Sequence, residues 1–240
     1  MICVVLQPAY IPWRGYFHQI QKADLFVFYD DVQYIKRDWR SRNRVKTERG
    51  TVWLTVPVLG KGSQVQGTPI CEVAINRSER WAAKHLGTIE QAYRRAPYFD
   101  RYIPMLRSFY EDPPELLADF TIDTTITLAR ELGLDTEFVR SSTLPASGSR
   151  TARVLSILTH LGADHYITGP AAAAYLEEER FAEAGITLEY MRYDYPEYPQ
   201  LHPPFDPQVS IVDLLMMTGP DAGRFIWGHA GPDGADPGGR

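Results

Sequence analysis

The chain has 240 residues but only two cysteines, Cys3 and Cys71, too few for a disulfide framework or a thiolate metal cluster. No two histidines fall at the three- or four-residue spacing of a helical zinc motif, so no metal is expected. No stretch approaches the ~20 apolar residues of a membrane helix. Residues 1–7 are too short and uncharged for a secretory signal. A Walker loop, a GxGxxG turn and a GxSxG elbow are all missing, which removes the commonest kinase, dehydrogenase and hydrolase readings. Cationic excess is missing too: 25 Lys and Arg against 30 Asp and Glu give a net charge of −5, a poor match to nucleic acid. No internal repeat is found. A cytoplasmic protein directed at a small molecule, outside the membrane, is the expectation these absences leave.

With 44% hydrophobic and 23% charged residues, the chain can bury a sizeable core. Residues 2–6, ICVVL, form a continuous apolar and β-branched run closed by Gln7-Pro8, the pattern of a strand buried on both faces. A helix over 15–22 and a second apolar run, Leu25 to Tyr29, complete a β-α-β unit. Its functional loops, Gln7 to Gly15 and Asp30 to Asn43, are expected to meet at the carboxyl ends of the strands. Residues 51–58 and 70–75 alternate as half-exposed strands around the loop GKGSQVQG, forming a small β insertion. Residues 79–133 read as a mainly helical segment. Alternation then resumes with strands at 137–140, 165–169 and 186–191 and helices at 152–163, 171–184 and 209–217. The expected architecture is α/β, a Rossmann-like parallel sheet, in one domain over 1–230 with a flexible Gly- and Pro-rich tail at 231–240.

The segment QPAYIPWRGYF combines two prolines that fix φ, a glycine at a helix entrance, and rings with polar handles. Gln7, Tyr10, Trp13 and Tyr16 are therefore candidates to bind a planar or anionic ligand, against the alternative that the rings plug the top of the sheet. Asp30 and Asp31 end the second strand, followed by Gln33 and a run from Lys36 to Arg44 with five basic residues in nine. Guanidinium and ammonium groups there, with Lys36, Arg42 and Asn43 as candidates, suit a phosphate or carboxylate; self-pairing with Asp30, Asp31 and Asp38 is the competing reading. Ser141 and Ser142 follow the strand at 137–140 and are binding candidates. Among the histidines, His18 stands in the same helix entrance and is a candidate general base; His85 shares a helix face with Trp81 and Ile89 and reads as core. The tyrosine- and proline-rich segment 193–205 reads as a strap across the sheet, with Asp213 beyond it as an orienting or capping group.

QPAYIPWRGYF, ADLFVFYDDVQYIKRDWRSRN, VWLTVPV, WAAKHLGTIEQAY, YITG and SIVDLLMMTG, in this order and spacing, resemble the WbqC-like family of bacterial proteins over residues 3–219. The layout from the first strand to DDVQY is also similar to the HxGH nucleotidyltransferases of the HUP class, with Trp13 and Tyr16 where that group carries its histidines. The WbqC-like resemblance implies a role in O-antigen or natural-product biosynthesis, with acyl or glycyl transfer onto an amino sugar as the associated reaction. On that implication an amine attacks an acyl thioester or acyl adenylate. Asp30 or Asp31 serves as base or amine orienter, Lys36, Arg42 and Asn43 hold the anionic part of the donor, and Gln7, Tyr10 and Tyr16 position the substrate. A thioester or nucleotide is then the co-substrate, and an acyl or aminoacyl carrier protein and a second copy of the chain are candidate partners. A nucleotide-dependent ligase or nucleotidyltransferase and a non-catalytic binding module for a nucleotide-sugar or carrier protein are the competing readings. Cys3 is not expected to act as a nucleophile, because its strand buries it.

Overall fold

The structure, a computed structural model, describes residues 1–60, 67–78 and 80–228. Its centre is a five-stranded sheet of β1 (Ile2–Leu6), β2 (Leu25–Phe28), β5 (Glu137–Arg140), β6 (His165–Thr168) and β7 (Thr187–Tyr190). The order is β5-β2-β1-β6-β7 and every pairing is parallel. The apolar runs behave as a doubly covered sheet demands. Along β1, Cys3 and Val5 face one layer and Val4 the other, the period-2 alternation of a strand. The first layer is closed by Val154, Ile157 and Leu158 of α5 (Arg150–Leu161) and Phe181 of α6 (Glu178–Glu183). On the other side, Phe17 and Ile20 of α1 (Arg14–Lys22) pack with Phe26 and Phe28. Each such buried side chain contributes about 1.5–3 kcal/mol. The same apolar cluster runs on into the helices α2 (Trp81–Tyr93), α3 (Phe99–Glu111) and α4 (Leu117–Glu131) and into α7 (Ile211–Thr218).

The chain leaves β1 through α1 to β2 and then β5 on one side, and later returns to β6 and β7 on the other. The gap between β1 and β6 is therefore the switch point, where crossovers leave in opposite directions and a crevice opens at the carboxyl ends of the strands. The β insertion is a hairpin of β3 (Arg42–Thr47) and β4 (Gly50–Thr55), paired from Arg42–Thr55 to Thr47–Gly50. Gly50 closes its turn with φ +99°, a conformation that L side chains rarely adopt.

Several sequence expectations are corrected here. The last three residues of the basic run, Arg42 to Arg44, are strand, not loop, because Asn43 and Val45 pair with Leu54 and Val52 of β4. Residues 70–75 do not form a continuous strand: Ile70–Glu72 is a single 3-10 turn. Its amides go to the loop after β2, Ile70 N–H to the Val32 carbonyl at 2.9 Å and Cys71 N–H to the Asp30 carbonyl at 2.8 Å. What survives of the expected β pairing is an antiparallel bridge between Val58 and Ile75. The expected helix over 171–184 is two pieces, a 3-10 turn at Pro170–Ala174 and the short α6, with Tyr175 outside helical backbone between them. Most of the GKGSQVQG loop, Glu79 and the tail at 231–240 lie outside the described residues. No helix among the described residues is long and apolar enough to cross a membrane.

Candidate functional site

A cavity of 390 Å³ occupies the switch point. Its floor is Leu6 and Ala9 after β1, and Gly169, Pro170 and Ala171 after β6 close the opposite side. Two other concavities lack its chemistry: one follows the α6–β7 edge, and the other lies between the β3–β4 hairpin turn and α2 among exposed arginines.

The loop that walls the crevice is held from all sides. Tyr10 N–H donates to the Trp39 carbonyl at 3.0 Å, and Ile211 N–H donates to that of Pro12 at 2.8 Å. The Asn43 amide donates both its protons, to the carbonyls of Tyr10 at 3.1 Å and Ile11 at 2.8 Å, while its oxygen accepts from Arg44 N–H at 2.8 Å. These bonds hold Ile11 at φ +35°, an outlying conformation for a β-branched residue that persists only where its surroundings over-determine it. Gly15 has a particular role in this wall. A Cβ there would lie 2.3 Å from the Trp13 indole, so the absent side chain lets Trp13 fold back over its own helix.

Trp13, Tyr16 and Gln19 follow one another at three-residue spacing along the start of α1 and all line the crevice. Tyr16 donates to the Gln7 carbonyl at 3.0 Å, and Gln7 Oε1 in turn accepts from Arg40 Nε. Arg40 lines the cavity with Asp38 at 3.6 Å, and burial lowers its pKa from the usual arginine value. Gln19 is 4% exposed. Its Nε2 donates to the Tyr193 hydroxyl at 3.0 Å, while its buried Oε1 has no hydrogen-bond partner among the described residues. A buried acceptor left unmet costs about 1–3 kcal/mol, so such a group needs an explanation. Tyr193 packs edge-on against Trp13 at 5.0 Å, and burial pushes its phenol up to about 12. Trp39, Asn43 and Gln208 complete the polar and aromatic rim. Among the described residues, no carboxylate, thiol or imidazole lines this cavity.

The acidic pair is placed differently. Asp30 is fully buried and accepts from Arg140 Nε at 2.7 Å, Ser142 N–H at 2.9 Å and Ser142 Oγ at 2.9 Å. Ser141 accepts from Asp30 N–H at 3.1 Å and donates to Asp31 at 2.5 Å, and Arg153 pairs with the other oxygen of Asp31. Ser141 and Ser142, expected as ligand-binding residues, thus bond to the two acids. Asp31 is half-buried and does not line the switch-point cavity. Between the two regions stands Tyr175, 60% exposed and within electrostatic reach of both Arg40 and Tyr29.

The other candidates spread further. Tyr10 has no exposed surface: its hydroxyl meets His85 Nδ1 at 2.9 Å and the Tyr110 hydroxyl at 2.5 Å, inside the helical segment. His18 is half-buried against Tyr195, 2.9 Å from its hydroxyl, and burial assisted by Lys22 pulls its pKa down to about 4. Gln33 and Lys36 are exposed in the loop after β2. The Arg42 guanidinium lies 4.2 Å from the Trp53 ring centre, with the Arg44 guanidinium 5.5 Å from the same ring. Cys3 is buried in β1 and its thiol is pushed up to about 12. Asp213 is a strap anchor, accepting from Tyr93 at 2.9 Å and from Gln200 at 3.0 Å. Among the described residues no group of three metal-ligating side chains converges.

Gln19, Arg40, Trp39, Tyr193 and Gln208 are crevice residues that the sequence did not single out as a set. Gln19 alone carried a usable signal, since it continues the spacing from Trp13 to Tyr16. An uncharacterized protein of Mycobacterium tuberculosis is 37% identical over 224 residues, covering 92% of this chain and 96% of its own length. No solved structure matches. The model of the WbqC-like protein family matches residues 7–225, from the residue after β1 to the segment beyond α7. The chain belongs to the WbqC-like protein family.

Proposed function

We propose that the protein transfers an acyl or aminoacyl group, of the glycyl type, to an amine-bearing acceptor held in the switch-point crevice. The observation that carries this reading is the composition of the crevice wall. Indole and phenol rings and one guanidinium line a space that, among the described residues, no thiol, carboxylate or imidazole borders. A wall of this kind suits a donor that brings its own leaving group, with the protein supplying orientation and charge stabilisation. In the step, the acceptor nitrogen attacks the carbonyl carbon of a thioester. A C–N bond forms, the C–S bond breaks, and the proton lost by the amine ends on the departing thiolate. Arg40 and the opening turn of α1 stabilise the developing oxyanion. Asp31, whose oxygens are engaged by Ser141 and Arg153 outside the cavity lining, takes no part in this step.

The test is amide formation followed by mass spectrometry, with glycyl and acetyl thioesters of N-acetylcysteamine as donors and a panel of amino sugars and other primary amines as acceptors. Product is expected without nucleotide, reduced by about 10²-fold or more in Arg40→Ala, the scale of one lost oxyanion donor. Pyrophosphate release that depends on ATP or CTP would point instead to a ligase or nucleotidyltransferase. One observation favours a binding module as the second reading: among the described residues the cavity wall holds no acid–base group other than tyrosine and Arg40. Under that reading ligands bind, and no donor is consumed.

A further inference from the structure

We propose that Trp39, Trp53 and Arg42 form an outer subsite at the mouth of the crevice, which takes the phosphate-ended arm of a ligand whose other end lies inside. The inference deepens the reading of the crevice as the substrate site and rests on it. The ligand class is a thiol or thioester whose sulfur sits on an extended arm that ends in a phosphate.

The subsite is built on one face of the β3–β4 hairpin. Side chains alternate along each strand, so Arg42, Arg44 and Lys46 share a face with their cross-strand partners Thr55, Trp53 and Thr51. The segment 200–208 covers one end of this cationic row. Lys46 donates to Gln200 at 2.8 Å and to the Pro204 carbonyl, and Arg44 pairs with Asp206 at 3.5 Å. Arg42, at the other end, has neither an ion pair nor a hydrogen bond among the described residues, and its guanidinium rests 4.2 Å from the Trp53 ring centre. Of its three nitrogens only Nε is both enclosed and unmet, so the two terminal nitrogens, equally unmet, face solvent. Stacking on the indole holds the plane of the guanidinium while its outer N–H groups stay free to meet a phosphate as a fork. Two contacts join this face to the crevice. Trp39 lines the crevice, and its ring centre is 5.3 Å from that of Trp53. Gln208, also on the crevice lining, accepts from Arg44 at 3.3 Å. A ligand leaving the crevice past Trp39 therefore meets Trp53 and then Arg42. The two indoles are 39% and 43% exposed, and apolar area of this size left in water beside a cavity marks a contact surface. The arm covers the indoles, and its phosphate meets the cation of the row that the described chain leaves without a partner.

The experiment titrates the intact chain at low ionic strength with pantetheine, 4′-phosphopantetheine and inorganic phosphate, followed by NMR of the indole N–H resonances. The first two share an arm and a thiol and differ only in the phosphate. 4′-Phosphopantetheine is expected to bind about tenfold tighter than pantetheine, the scale of one charge-assisted hydrogen bond at a partly solvated site, and to move the Trp39 and Trp53 resonances. Arg42→Gln should bring that ratio close to one, and Arg42→Glu should reverse it. Added salt should shrink the ratio in the unmodified chain. Inorganic phosphate, which lacks the arm, should bind about tenfold more weakly than 4′-phosphopantetheine. Equal binding of the two would mean an adventitious anion on a surface arginine and would overturn the inference. So would a ratio near one in the unmodified chain, or a ratio that survives both Arg42 variants. Failure of both arm-bearing probes to bind would overturn the crevice reading as well, whereas pantetheine binding without a phosphate preference would leave that reading standing. The readout is independent of turnover. The expected Arg42-dependent ratio without amide formation from any thioester would keep this assignment and remove the transfer reading.

Discussion

Two regions share the carboxyl edge of the sheet, and they differ in what their polar groups are doing. At the β2–β5 end, Asp30 is saturated by Arg140 and Ser142, and Asp31 by Ser141 and Arg153. At the β1–β6 end, Gln19 Oε1 and part of the Arg40 guanidinium have no partner among the described residues. The first region consumes its own chemistry to fix two loops, and the second keeps chemistry in hand for something else. A pair of adjacent acids after a strand is therefore weaker evidence of a reacting centre than an amide whose hydrogen bonds do not close.

The largest expected effect falls in the saturated region. Asp30→Ala removes the anion that Arg140 and both serines surround, and should destabilise the fold by about 3 kcal/mol, the low end for breaking a buried ion pair because Arg140 is partly solvated. Thermal unfolding measures it; a change below about 0.5 kcal/mol, the range of ordinary surface substitutions, would erase the contrast between the two regions. Gly15→Ala comes next. The added methyl collides with the Trp13 ring, so a loss of about 1–3 kcal/mol is expected together with weaker probe binding. Asn43→Ala leaves two loop carbonyls and one amide unmet, about 1–3 kcal/mol by denaturant titration, and should loosen the loop without touching the acidic pair.

A pH dependence of stability is expected beside these substitutions. His85 and His18, each pulled to about 4 by burial, stay neutral in the fold yet titrate near 6.5 when unfolded. Between those values the unfolded chain binds more protons, so stability is fully present above pH 6.5 and is lost as the pH falls towards 4. The unfolding midpoint followed across this window should fall less steeply in His85→Gln than in the unmodified chain.

Much of the scaffold is legible in the sequence for a simple reason. ICVVL and the run from Leu25 are apolar throughout, and in a sheet covered on both faces that pattern has few other outcomes. Trp13 and Tyr16 are legible as crevice residues because proline and glycine punctuate the strand-to-helix turn around them. Arg40 is not: it is one of five basic residues in nine, and only tertiary contact with Gln7 and Asp38 separates it from Lys36 and Arg37. Tyr193 arrives from the far end of the chain, inside a segment that reads as a strap. Tyr10 misleads in the opposite direction. Its place in an aromatic loop looks like a ligand contact, yet its partners Tyr110 and His85 belong to the helical segment and enclose it. The acids mislead because the serines and arginines that saturate them come from β5 and α5, more than a hundred residues away.

The five tryptophans give the most direct measurement of the central claim, that the switch-point crevice is the ligand site. Trp13 and Trp39 line it, whereas Trp81 is buried in the helical segment against His85, Tyr110 and Phe120. In an indole N–H spectrum titrated with 4′-phosphopantetheine, the Trp13 and Trp39 resonances are predicted to move while that of Trp81 stays fixed. Saturation that leaves Trp13 and Trp39 in place, or moves Trp81 instead, would contradict the account.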